Sequence, residues 1–192
     1  MSRVLSSLFG LMLLLAGCSH NLTSAYRISE PLAKGARVAV LPFENLSGKE
    51  GASEKITEYM VLALQRGKNL EVTEFGQVYE QMRRYRIRSA TLLTDAQLDS
   101  LASGLKIGYV VTGSVLDYHE TDNPYLGKIP QVSINVRLID CATHQTIWTG
   151  VANARGDQSE TVFGLGAIRS LEELAHSVVS QASDNISAVF RK

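Results

Sequence analysis

Between residues 131 and 140 (QVSINVRLID), Val132, Ile134, Val136 and Leu138 alternate with Ser133, Asn135 and Arg137. Successive side chains of a strand point to opposite faces, so this segment has one buried face and one wet face. A slip of one residue would turn every apolar side chain to water, which fixes the register. A tight connection at residues 142–145 leads into residues 146–154, which contain Trp148, and the pair reads as an antiparallel hairpin. Residues 37–43 (RVAVLPF) are different: a strongly apolar run with β-branched residues, ending near Pro42. That suits a strand covered on both faces, the usual setting of parallel pairing. One sheet holding both kinds must be mixed, with helices packed on it.

Helical spacing supplies those helices. Ile56, Tyr59, Met60, Ala63 and Leu64 share one face, and Gly67 stands where a C-terminal cap belongs. Residues 44–53 read as a loop, residues 70–74 as a short strand, and Val78, Met82 and Tyr85 as the face of another helix. Thr94 and Gln97 form a capping-box pattern ahead of Leu98, Leu101 and Leu105. Residues 109–116 are a third strand. Ser170 and Glu173 open the last helix, lined by Leu174, Ala175, Val178, Val179, Ala182, Ile186 and Val189. The expected order is β-α-β-α-α-β-β-β-α, a single α/β domain over residues 36–192 with a small mixed sheet. Its βαβ unit closes by a right-handed crossover, and its long C-terminal helix covers one face.

Residues 4–17 carry no charge and follow Arg3. As a helix they would rise only about 21 Å, short of a hydrocarbon core of about 30 Å, but they fit the apolar centre of a secretory signal. The segment ends Leu14-Leu15-Ala16-Gly17-Cys18, like a bacterial lipobox. Residues 1–17 are therefore expected to be a lipoprotein signal peptide and Cys18 the lipid-attachment residue, anchoring the chain to outer-membrane lipid on the periplasmic face. As in known lipoproteins, Ser19 rather than Asp after the cysteine favours the outer membrane. Residues 18–35 read as a lipidated terminus and a short polar tether. With Cys18 acylated, Cys141 has no intramolecular partner, and reads either as a small core residue or as a reactive thiol.

The sequence has 19 Lys+Arg and 19 Asp+Glu, so it lacks the charge excess that drives non-specific nucleic-acid binding. Residues 37–48 (RVAVLPFENLSG), 107–115 (IGYVVTGSV) and 132–148 (VSINVRLIDCATHQTIW) stand in a recognisable order. They resemble the domain shared by the TolB amino-terminal region, the curli-secretion lipoprotein CsgG and the LpoB-type activators of penicillin-binding proteins. The resemblance spans roughly residues 36–190 and implies an α/β sandwich acting by binding and assembly. It carries no active-site residues across. One departure is His144, where the family hairpin commonly has Gly.

Chemical sites are sparse. Asp117, His119, Glu120 and Asp122 crowd one short segment, as a solvated loop or as metal ligands, though without the spacing of a known site. Residues 163–169 (FGLGAIR) place two glycines before a helix, as a flexible lead-in or as a phosphate cradle, but lack the third glycine of a dinucleotide motif. His20 and His176 stand alone. Arg83, Arg84, Arg86 and Arg88 form a basic run around Tyr85. They either complement a helix C-terminus or present an interaction patch for headgroups, cell-wall carboxylates or an acidic partner.

These features predict a protein that is not an enzyme and uses no cofactor, a lipid-anchored interaction module in envelope assembly or secretion. The alternatives are an activator of a cell-wall synthase and a ring-forming accessory subunit of a curli-like system, which makes a homo-oligomer a further expectation. An independent pore is disfavoured, because it needs four spanning strands of about 9–11 residues in addition to the core sheet. A tether of 17 residues averages only about 20–25 Å as a coil, which keeps the body near its membrane.

Overall fold

The structure, a computed structural model, describes residues 21–26, 32–67, 69–158 and 167–190. The strands are β1 (Asn21–Tyr26), β2 (Ala36–Val40), β3 (Glu44–Asn45), β4 (Leu70–Val72), β5 (Tyr109–Asn123), β6 (Gly127–Asp140) and β7 (Gln145–Arg155). The helices are α1 (Ala52–Arg66), α2 (Phe75–Arg84), α3 (Asp95–Leu105) and α4 (Leu171–Val189). The sheet runs β1-β7-β6-β5-β2-β4, with β3 paired to β5. β2 lies parallel to β4 and β5, while β5, β6, β7 and β1 pair antiparallel. The mixed sheet required by two kinds of strand is what forms, and the expected order of elements holds, with β1 and β3 in addition.

The alternation in β6 sends Val132, Ile134, Val136 and Leu138 to one face, all fully buried. Ile56, Met60 and Leu64 of α1 and Leu174, Val178, Ala182 and Ile186 of α4 pack there, with Trp148 and Phe190. A smaller cluster occupies the other face, where Ala39, Leu41 and Val110 meet Val78 and Met82 of α2 and Leu98, Leu101 and Leu105 of α3. β2 is thus apolar and buried from Val38 onward because helices cover it on both sides, while Arg37 at its start reaches Glu71.

The capping box at α3 is complete: Gln97 N–H donates to Thr94 Oγ1 (3.3 Å) and Thr94 N–H to Gln97 Oε1 (3.1 Å). Ser170 Oγ likewise accepts from Glu173 N–H at the start of α4.

Three segments differ from expectation. Glu44–Asn45, at the start of the expected loop, is a short strand paired to Ser114 and Val115. Asn21–Tyr26, read as tether, is an edge strand whose Asn21 pairs with Asn153 and Tyr26 with Trp148. β5 runs on past residue 116 through residues 117–122, so that polar segment is strand, not loop. A register shift between Val115 and Asp117 breaks the alternation that would have revealed it. The His144 turn is left-handed (φ 58°). Asp140 Oδ1 accepts the N–H groups of Ala142 (2.8 Å) and Thr143 (3.3 Å), and the imidazole is tied to α3, which together hold a residue where Gly is easier.

Candidate functional site

β2 delivers residues 41–43 to the edge of α2. Leu41 N–H donates to Val111 O (2.9 Å), which still belongs to the sheet, and Phe43 N–H donates to Thr57 Oγ1 (3.0 Å) on α1. Pro42, having no N–H to give, interrupts the pairing, which β3 resumes at Glu44. The Phe43 ring lies against Gly113 of β5; a Cβ on Gly113 would fall 2.7 Å from Phe43 Cε1 and 2.1 Å from Asn135 O. This close approach seats the ring at 4% exposure as the floor of a surface groove.

Two adjoining recesses share Pro42, Phe43 and Tyr79. One, of about 290 Å³, is walled by Met82, Arg83, Ile87, Arg88 and Glu44. The other, of about 280 Å³, is walled by Ser53, Glu54, Thr57, Glu58 and Phe75. Tyr79 stands between them, 54% exposed, and its ring is tilted on Phe75 with centroids 6.1 Å apart. The groove is therefore apolar in the middle, basic at one end and acidic at the other. Its basic wall is braced: Thr91 Oγ1 donates to Glu44 Oε2 (2.8 Å), Thr112 Oγ1 to Ala90 O (2.9 Å) and Arg137 Nη2 to Thr91 O (3.0 Å).

The structure divides the basic run. Arg83 and Arg88 line the groove, whereas Arg84 joins Arg83 and Glu80 around a shallow neighbouring depression. Arg86 lines neither recess. It sits just beyond α2 at φ 54°, where Arg86 N–H donates to Arg83 O (3.2 Å) and Ile87 N–H to Met82 O (2.9 Å). That pattern ends a helix with a left-handed residue, a position that favours Gly. Among the described residues none of the four guanidiniums takes part in an ion pair, so their charge faces solvent. No local pattern in the sequence marks the groove beyond the Pro42 break after an apolar strand and a Tyr79 outside the apolar face of its helix.

The remaining candidates separate. Asp117, His119, Glu120 and Asp122 lie along β5, the first two and the last two on opposite faces by the strand period, and among the described residues no three such groups gather as for a metal. Glu120 instead meets Lys128 across the hairpin at 3.5 Å. Cys141 is buried, and burial first, with Asp140 and Asp99 adding to it, pushes its thiol up to about 12. His176 stacks on Tyr59 with centroids 3.8 Å apart. His144 Nε2 lies 2.7 Å from Asp99 Oδ1, and that hydrogen bond first, then the charges of Asp99, Asp95 and Asp140, raises the imidazole above its ordinary 6.5. Cys18, the signal segment, His20, Gly164 and Gly166 lie outside the described residues. Among the described residues no helix is long and apolar enough to cross a membrane.

No family model matches the sequence, and no curated protein matches it. Solved structures do. The PelC dodecamer from Paraburkholderia phytofirmans superposes as a point variant and as the unsubstituted protein, in different crystal forms, with TM-scores of 0.64 and 0.58, at 16% and 17% identity, over 90% of this chain and 100% of that one. Lipoprotein GNA1162 from Neisseria meningitidis reaches 0.55 at 21% identity, over 78% of this chain and 99% of that one. The LpoB C-terminal domain from Escherichia coli reaches 0.50 at 16% identity, over 66% and 87%. At these identities the likeness is one of fold. It includes the LpoB-like architecture that the three sequence segments suggested.

Proposed function

We propose that the chain is a non-catalytic, lipid-anchored interaction module on the periplasmic face of the outer membrane. Its groove over Pro42, Phe43 and Tyr79 takes an extended segment of an envelope protein. The observation that carries this reading is the groove's composition: an aromatic floor and post, Arg83 and Arg88 unpaired among the described residues at one end, and Glu54 and Glu58 at the other. Exposed aromatics beside unpaired arginines are the residue types that dominate protein interfaces. The lipobox ending in Cys18 supports the anchor. Asn21 of β1 follows Cys18 by only three positions, a covalent reach of at most about 11 Å. So short a link favours a body held against the leaflet over an activator that reaches through the cell wall.

Crosslinking in membranes followed by affinity purification tests the reading. An envelope protein should be recovered with the parent and lost with the Arg83→Glu/Arg88→Glu double variant; equal recovery from both contradicts the groove assignment. A second reading, a ring of identical subunits, is favoured by the likeness to a protein solved as a dodecamer. Mass photometry in detergent decides it, since a strictly monomeric particle excludes a ring.

A further inference from the structure

The sheet rungs place the start of β1 and the β5–β6 turn at the same end of the molecule. Asn21 pairs with Asn153, Asn153 with Ser133, and Ser133 with Asp117. From that rung β5 continues six residues to Asn123, which pairs with Gly127, so the hairpin projects about 20 Å beyond Asn21. Cys18 cannot lie more than about 11 Å from Asn21. A hairpin standing upright beside an anchored Cys18 therefore overshoots the anchor by on the order of 10 Å.

The tip is built for such a position. Pro124, Tyr125 and Leu126 carry no charge, and Tyr125 is 94% exposed. It is held there by the turn itself: Asn123 Oδ1 accepts the N–H groups of Tyr125 (2.9 Å) and Leu126 (3.0 Å), Gly127 supplies φ 75°, and Arg169 Nη1 donates to Leu126 O. The turn's own side chains are uncharged; the Arg169 guanidinium reaches it at Leu126 O, and one rung back Asp122 pairs in register with Lys128 and Glu120 meets Lys128. An uncharged aromatic tip with a mixed-charge belt behind it matches the layering of a phospholipid interface, where tyrosine rings settle at headgroup depth.

We infer that the β5–β6 turn is a membrane-docking element that inserts Tyr125 into the headgroup–acyl boundary of the phospholipid leaflet in which Cys18 is anchored. This rests on the anchored reading above. The insertion would fix the orientation of the domain on the leaflet, since the acyl chains and the hairpin tip then provide two separate points of attachment. At the belt Asp122 and Glu120 offset Lys128, so the contact draws chiefly on apolar depth, with Arg169 beside the turn as a cation for headgroup phosphate.

The test uses the full chain, matured in cells and reconstituted into vesicles of phosphatidylethanolamine and phosphatidylglycerol with brominated acyl chains. Tyr125→Trp adds a fluorescent reporter at the tip, and Trp148, 1% exposed in the core, supplies the parent background. Leu92→Trp, at a site 78% exposed and away from the hairpin, is the control. The expected result is that brominated vesicles quench the added emission of the Tyr125→Trp variant and leave that of the Leu92→Trp variant intact. Intact mass of the same sample reports the acyl chains on Cys18. An acylated Tyr125→Trp protein whose added emission stays bright overturns this inference and leaves the anchor standing. A protein without acyl chains overturns both.

Discussion

Gly113→Ala puts a methyl group where the fold has no room for one. Its Cβ would sit 2.1 Å from Asn135 O on the neighbouring strand and 2.7 Å from Phe43 Cε1. The first contact is with backbone inside the β5–β6 ladder, so relief requires spreading two paired strands rather than turning a side chain. Overpacking of this kind costs about 1–3 kcal/mol, and a backbone obstacle belongs near the top of that range. Replacing Gly within a strand returns about 0.5–1 kcal/mol, which leaves a net loss of roughly 2 kcal/mol. For a chain of this size that corresponds to a Tm lowered by roughly 4–8 °C. Urea unfolding followed by circular dichroism measures it, with Gly108→Ala as control, because a Cβ there meets nothing within 4 Å. The same displacement should push the Phe43 ring upward and weaken partner capture at the groove. A Gly113→Ala protein within about 0.5 kcal/mol of the parent would refute the close approach, and with it the seating of the groove floor.

Further outcomes follow from individual side chains. Arg86→Gly removes a side chain from a left-handed position and should raise stability by about 1 kcal/mol in the same unfolding assay; no gain would contradict the helix ending described for α2. His144 is raised above 6.5 in the folded state, so its stabilising contribution is full below that value and fades as pH rises through the raised one. Unfolding free energy should therefore fall more steeply with pH in this window for the parent than for Asp99→Asn, and equal slopes would contradict the contact. The Cys141 thiol, pushed up to about 12, should resist an aromatic disulfide reagent at mildly alkaline pH until the chain is unfolded. Prompt reaction in the folded protein would show that it is not buried.

How much of this was legible in the sequence depended on whether one face of an element was buried. β6 and α4 each bury a continuous apolar row, and their periodicity marked them. The Thr94–Gln97 box was equally clear, because its two bonds need only residues three apart. β1 left no such mark: as an edge strand its place depends on backbone pairing with β7, and Asn-Leu-Thr-Ser-Ala-Tyr has no alternation to show it. The outer half of β5 extends past the helices into solvent, and its bulge shifts what pattern remains. The basic run was visible as charge. That Arg83 and Arg88 share a groove while Arg86 ends a helix depends on one left-handed residue, which arginine does not advertise. The groove floor depends on Phe43 meeting Gly113, 70 positions later in the chain, a contact that no local pattern carries.

The proposed role of this chain is to hold another envelope protein in the groove around Tyr79. A photoreactive amino acid at position 79, activated in intact cells, measures it most directly. A discrete adduct with an envelope protein is expected, absent when the same group replaces Leu62 on the outer side of α1 and lost when Arg83 and Arg88 are changed to Glu. Position 79 giving no adduct beyond that at position 62 would contradict it.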